Sequence, residues 1–409
     1  MQFVRVRCIF FMNKGRALRV NGESPEGTIP PRRGGKERVT SQEQTKISFA
    51  SRAASQFGDE VKQRVHEYFE KNRLSTKANA AMIAKTVIMV VITFGSDGLI
   101  LSGLFGPWAM LGLAMLMGVG TAGLGFCVAH DALHGAYSSR PWVNRVLGYT
   151  FDVMGANGYM WKLTHNVIHH TYTNIHGIDD DLEASPFLRL SPEAPLKPVH
   201  RYQHIYGFAA YTLSTLSWVF MKDYRQFLKR PLGPFLNPVH PKSEVAMLVV
   251  MKAVYYVYTL VIPLLVLPIP WWQFAIGYLA MHATAGIILG VVFQLAHVVE
   301  PTEHPVPDNK GRIENAWMIH QMETTANFAG KNPAISWYVG GLNHQIEHHL
   351  FPKVCSVHYP KISKIVREVA EKHGVPYHHH ETLWEAIRSH YRMLKWLGNP
   401  TGSSPMAQA

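Results

Sequence analysis

Three imidazoles fall within the six residues 165–170, HNVIHH. Polar side chains follow at once: Thr171, Thr173, Asn174, His176 and the run Asp179, Asp180 and Asp181. On a helix, His165 and His169 stand four residues apart on one face with His170 a step round. That is how a helix offers several nitrogen ligands to one metal centre. Two further clusters echo the first, HDALH at 130–134 and NHQIEHH at 343–349. A short histidine-rich run is most often a solvated surface, but three of them beside apolar segments are hard to dismiss that way. With His297, in FQLAHVVE, the set is His130, His134, His165, His169, His170, His297, His348 and His349. This exceeds the roughly four to six ligands of one zinc or iron ion, so two metals sharing the set is the economical reading. Imidazole suits iron, and two irons beside lipid suggest oxygen activation on a greasy substrate. Zinc hydrolysis, the competing chemistry, would leave most of these histidines idle.

The elements that must carry these residues read as membrane helices. Of 409 residues, 47% are hydrophobic and only 17% charged. The mean hydropathy of −0.03 averages polar arms with very apolar runs. Cys8, Cys127 and Cys355 are scattered, which suggests neither a disulfide framework nor a zinc ribbon. Residues 1–45 are basic and rich in Gly and Pro, and are expected to form a disordered arm. Residues 46–397 form the expected membrane domain and 398–409 a flexible tail. Within the domain, 57–77 has helical periodicity through Val61, Val65, Tyr68 and Phe69, fitting a cytoplasmic helix near the bilayer surface. Four runs, about 86–105, 108–128, 245–267 and 272–293, are long enough to cross a hydrocarbon core of roughly 30 Å. They pair into two hairpins, turning at Gly106-Pro107 and at LPIPWW. The glycines at 112, 118, 120, 123 and 125 are expected to let the second span pack closely. After the third cluster, 358–397 reads as two amphipathic helices capping the cytoplasmic face, with His378 to His380 between them and no partner motif for metal.

Charge sets the orientation. The two short connectors hold no Lys or Arg, whereas the arms and the 130–243 loop hold nearly every basic residue. The positive-inside rule then places both termini, the long loop and all three histidine clusters in the cytoplasm. A fifth span at 205–221 would separate the third cluster from the others, so that uncharged run is expected to be interfacial or re-entrant. The formal charge of +12 makes no case for nucleic acid, because it is spread over loops that face anionic lipid.

The order HDALH, HNVIHH, QIEHHLFP around two membrane hairpins resembles the membrane fatty-acid desaturase family over about residues 46–395. Gln345, heading the third box, resembles the front-end branch, which desaturates between an existing double bond and the carboxyl end. The resemblance implies an all-α integral membrane protein of four transmembrane helices, with a cytoplasmic helical cap holding a di-iron centre. It implies that the eight histidines ligate two iron ions and that O2 is a co-substrate. It also implies that a cis double bond enters a fatty acyl chain carried by CoA or a lipid. Related desaturases have His where Gln345 stands, which leaves open whether Gln345 takes a catalytic place as a weak ligand, through water or not at all. On a helix Gln345 would share a face with His348 and His349, and His344 one with His348 alone, so His344 is the substitute candidate. Many front-end enzymes carry a fused cytochrome b5-like domain with a His-Pro-Gly-Gly motif. No such motif occurs here, so electrons are expected from a separate carrier, ferredoxin or free cytochrome b5.

Asp131, His176 and Asp179 to Asp181 could hold ligand N–H groups, the usual outer-shell task, or be plain solvated residues. His282 lies 15 residues before His297, about 22 Å along a helix, and is expected to be a hydrogen-bonded core histidine. Asp97 is expected to be an interface residue. Trp108, Tyr255, Tyr256, Tyr258, Trp271 and Trp272 could line an acyl tunnel or belong to packing and the interfacial belt. The rival enzymes are a di-iron lipid hydroxylase or carotenoid ketolase. A non-enzymatic rival, a metal transporter, would place His and carboxylates in the middle of several spans.

Overall fold

The computed structural model describes residues 47–50, 56–183 and 186–400; the expected arm at 1–45 and most of the expected tail, from 401, lie outside them. Helix α1 (Gln56–Lys71) precedes α2 (Ala80–Leu101), whose first turn is capped by the Asn79 side chain accepting from the Met82 N–H. The chain then forms α3 (Pro107–Leu133), α4 (Pro141–Val153) and α5 (158–172). Next come α6 (Gln203–Tyr211), α7 (214–228), α8 (Lys242–Val266) and α9 (Trp271–His297). Beyond the last span lie α10 (Trp317–Thr324), α11 (Gln345–Leu350), α12 (Tyr359–His373) and α13 (Leu383–Gly398). The strands are two-residue parallel pairs: Ser48–Phe49 with Arg312–Ile313, and Asn327–Phe328 with His379–His380.

Among the described residues four helices, α2, α3, α8 and α9, are long and apolar enough to cross a membrane. They pair as the hydropathy predicts, with different ends. Pro107 starts α3, where its missing N–H is harmless, and the helix runs on to Leu133, so it carries the first histidine box itself. Likewise α9 ends on His297. The spacing between α3 and α9 depends on a glycine. A Cβ at Gly118 would stand 2.5 Å from the Met281 carbonyl oxygen, so only glycine permits this approach.

Residues 205–221 do not form a span. They are split between α6 and α7, with a break after Tyr211, and α6 lies against α9, where Tyr211 packs on Gly286 and Gly290. The placement of α1 shows what its apolar face packs against. Its apolar stripe, Phe57, Val61, Val65 and Phe69, is buried against Ile362, Val366 and Val369 of α12. Arg64 pairs with Glu368 and Glu60 with Lys372 across the same contact. The stripe that periodicity picks out is therefore covered by protein. As expected, two amphipathic helices, α12 and α13, close the chain; Thr382 and Glu385 form a capping box at the start of α13.

Candidate metal centre

Four helix segments bring the eight histidines together. The end of α3 supplies His130 and its C-cap His134, α5 supplies His165, His169 and His170, α9 supplies His297, and α11 supplies His348 and His349. Two of these helices widen into π turns at the site, Gly125–Ala129 just before His130 and Lys162–His169 through the second box. Such turns are common at functional sites because they re-aim side chains without ending the helix. The His165 and His169 rings still share a face, stacked 4.9 Å apart, as their spacing predicts.

The ring nitrogens fall into overlapping sets, each within 4.8 Å: His130, His134, His165 and His348; His169, His297 and His349; and His170 with His348 and His349. Ring centroids lie 4.5 Å apart for His130 and His348, 4.6 Å for His169 and His297, and 4.3 Å for His170 and His349. All eight are buried except the half-buried His134. The arrangement suits two neighbouring metal ions, with His170 between the sets.

Outer partners fix which nitrogen faces the centre. His169 Nδ1 lies 2.9 Å from Asp179 Oδ2, His165 Nδ1 3.3 Å from Asp181 Oδ2, and His349 Nδ1 2.7 Å from Gln321 Oε1. His348 Nδ1 is 3.2 Å from the Tyr359 hydroxyl. A carboxylate or amide oxygen can only accept, so Nδ1 carries the proton in His165, His169 and His349 and Nε2 keeps its lone pair. The Nε2 atoms of His134, His165, His169, His297, His348 and His349 are buried without hydrogen-bond partners, as are both nitrogens of His170. So many orphaned buried nitrogens would be costly in an empty core, and a metal ion could satisfy them.

The electrostatics agree. Burial pushes His165 down to about 3, and burial with the neighbouring imidazoles drives His134, His170, His348 and His349 well below the ordinary range. Neutral imidazole is the form that binds metal. His169 is the exception: burial lowers it, but the charge and hydrogen bond of Asp179 raise it further, above the usual value. Asp181, despite burial, is held low by Lys222, at 3.3 Å, and by His165.

The other predicted residues are placed differently. Asp131 Oδ1 is 3.6 Å from His130 Nδ1, while its Oδ2 accepts from Cys355 Sγ, Ser356 N and Ser356 Oγ, tying the first box to the loop after the third. Gln345 is buried in the first turn of α11. His344 does not join the eight. It is the N-cap of α11, outside the helical turn, and its ring lies near Gly330, with Nδ1 3.9 Å from Glu347 Oε2. His176 also leaves the cluster: α5 ends at Tyr172, and the backbone turns at Asn174 (φ 60°) and Gly177 (φ 78°). His282, as expected, is held in the core by the Tyr255 hydroxyl at 2.9 Å and Thr215 Oγ1 at 3.0 Å. Gln321 and Tyr359 escaped the sequence reading. They lie 28 and 11 residues from the histidines they hold, in helices that no motif marks.

Comparison with known proteins agrees with this geometry. The pattern of the fatty acid desaturase family matches residues 106–381. The chain is 38% identical over 342 residues to the sn-1 linoleoyl-lipid 6-desaturase of Arthrospira platensis, covering 83% of this chain and 92% of that protein. The Synechocystis sp. protein of the same name is also 38% identical, covering 83% and 94%. The acyl-lipid (8-3)-desaturase of Physcomitrium patens is 32% identical, covering 83% and 71%. Four apolar helices and a buried polyhistidine centre accompany a family match over more than half of the sequence. The chain belongs to the fatty acid desaturase family, membrane oxidoreductases that introduce double bonds into fatty acyl chains.

Proposed function

We propose that the chain is a front-end acyl-lipid desaturase whose eight clustered histidines hold two iron ions. The observation that carries the metal reading is the set of buried, unpaired Nε2 atoms, three of them on rings whose Nδ1 is held by Asp179, Asp181 or Gln321. Overall, an acyl –CH2–CH2– unit, O2, two electrons and two protons would give –CH=CH– and two waters. Iron, when bound, would supply the oxygen activation that abstracts the two hydrogens.

The protein's own share is positioning. Asp179, Asp181 and Gln321 hold His169, His165 and His349 in one tautomer and one orientation. Trp161 stacks on His165 at 4.3 Å, and Phe293 packs at 5.4 Å from His169, so apolar walls limit water beside the centre. Methylenes of an acyl chain differ little in reactivity, so regiospecificity must come from how the chain is held.

The lipid-linked substrate and the position on the carboxyl side of an existing bond are supported by the Gln345-led box and by relatives named as sn-1 linoleoyl-lipid 6-desaturases. Electrons would come from ferredoxin or a free cytochrome b5. The centre is proposed to face the cytoplasm with both termini, because the basic residues lie on that side of the spans. The deciding experiment is the fatty-acid profile of cells expressing the chain with linoleate supplied, beside a His169→Ala control. A new triene, with the added bond on the carboxyl side and absent from the control, is expected. A hydroxy or keto product in its place would move the protein to oxygenation.

A further inference from the structure

At the far end of the spans from the histidines lies a second polar and apolar site. A cavity of about 370 Å³, within the range of small-molecule pockets, opens between α2, α3, α8 and α9. Its rim carries Asp97, about one turn from the end of α2, Trp108 at the start of α3, and Gln273 at the start of α9. Trp108 is 86% exposed, as expected of an aromatic at a membrane interface. Its floor is apolar, formed by Met117 and Met281, each ten residues into its helix and so roughly 15 Å deep. Thr259 and Tyr278 add hydroxyls between rim and floor.

The cavity is separate from the metal centre. None of the eight histidines lines it, and His282, next to Met281 in α9, is clasped by Tyr255 and Thr215. His297 stands a further 16 residues along α9, roughly 24 Å away. The rim also lacks what it needs to be self-sufficient. Gln273 Oε1 is buried without a hydrogen-bond partner. Asp97 makes no hydrogen bond or ion pair among the described residues, and the connectors at both hairpin tips contain no Lys or Arg. A carboxyl and an orphaned carbonyl beside hydrocarbon call for a hydrogen-bond donor. With no cation in the lining, phosphate and carboxylate head groups have nothing to bind them.

The structure assigns this cavity to an uncharged membrane lipid bearing a free hydroxyl, with the hydroxyl donating to Gln273 Oε1 beside Asp97 and the chain against Met117 and Met281. The test uses the full chain in phosphatidylcholine nanodiscs containing a minor fraction of dioleoylglycerol, with bound lipid counted by native mass spectrometry. Wild type retains one dioleoylglycerol per chain. Gln273→Leu lowers that retention about tenfold, the loss expected from one buried hydrogen bond. Ala114→Phe, which places a ring in the lining, abolishes it. Circular dichroism and gel filtration report whether each variant folds; should Ala114→Phe fail there, Gln273→Leu decides alone. Equal retention in wild type and Gln273→Leu means annular lipid only and overturns the assignment. So does preferential retention of phosphatidylcholine by the wild type.

Discussion

At His349 the bond from Nδ1 to Gln321 Oε1, 2.7 Å long, settles the chemistry of the opposite nitrogen. Gln321 Oε1 also lies 2.9 Å from Thr173 Oγ1, so one amide oxygen organises both a ligand ring and the turn after α5. Gln321→Leu keeps the volume and removes the acceptor. The expected result is a roughly 10- to 100-fold weaker metal affinity with the helical content unchanged, measured by metal titration alongside circular dichroism. The boxes themselves were legible in the sequence because their spacing is local: a helical turn sets His165 beside His169 whatever the rest of the chain does. Gln321 and Tyr359 were not, because only tertiary packing brings α10 and α12 to the histidines. His344 misled for a related reason. The i,i+4 argument holds inside a helix, and α11 starts one residue too late for it.

Among the elements, α7 links the membrane to the metal centre through two successive residues. Lys222 reaches Asp181, the partner of His165, while Asp223 forms a 2.7 Å ion pair with Lys252 of α8. Lys252 also donates to the carbonyls of Gly155 and Val219, at 2.6 and 3.0 Å, and both members of the pair are almost wholly buried. Lys252→Met leaves the Asp223 charge unpaired and is expected to cost about 3–5 kcal/mol. Adding Asp223→Asn restores most of the loss, because the buried charge is gone. Thermal melts of both variants in detergent check this; a double variant no more stable than the single one would count against the pair. Hydropathy revealed α8 as a span but gave Lys252 no partner, since the charge that answers it lies in a segment whose own apolar run resembled a span. Similarly, the periodicity of α1 marked its buried face, but nothing local names α12 as the surface that covers it.

For the whole molecule, four apolar runs and their two short turns were readable directly, because crossing a bilayer imposes length and composition on each helix. The orientation drawn from the basic residues has its own test. A cysteine introduced at Gly106 is expected to react with an impermeant thiol reagent on intact cells, and one at Lys197 only after the membrane is opened; the reverse pattern would invert the topology. The most compact feature of the centre lies in a single peptide bond. His348 belongs with His130, His134 and His165, and the adjacent His349 with His169 and His297, while His170 touches both. Neither half of the proposed centre can shift its α11 histidine without moving that of the other. Metal uptake by the apoprotein is therefore expected to be cooperative: titration with ferrous iron gives a sigmoidal isotherm with few singly loaded molecules. Two independent steps of equal affinity would show that the halves fill separately.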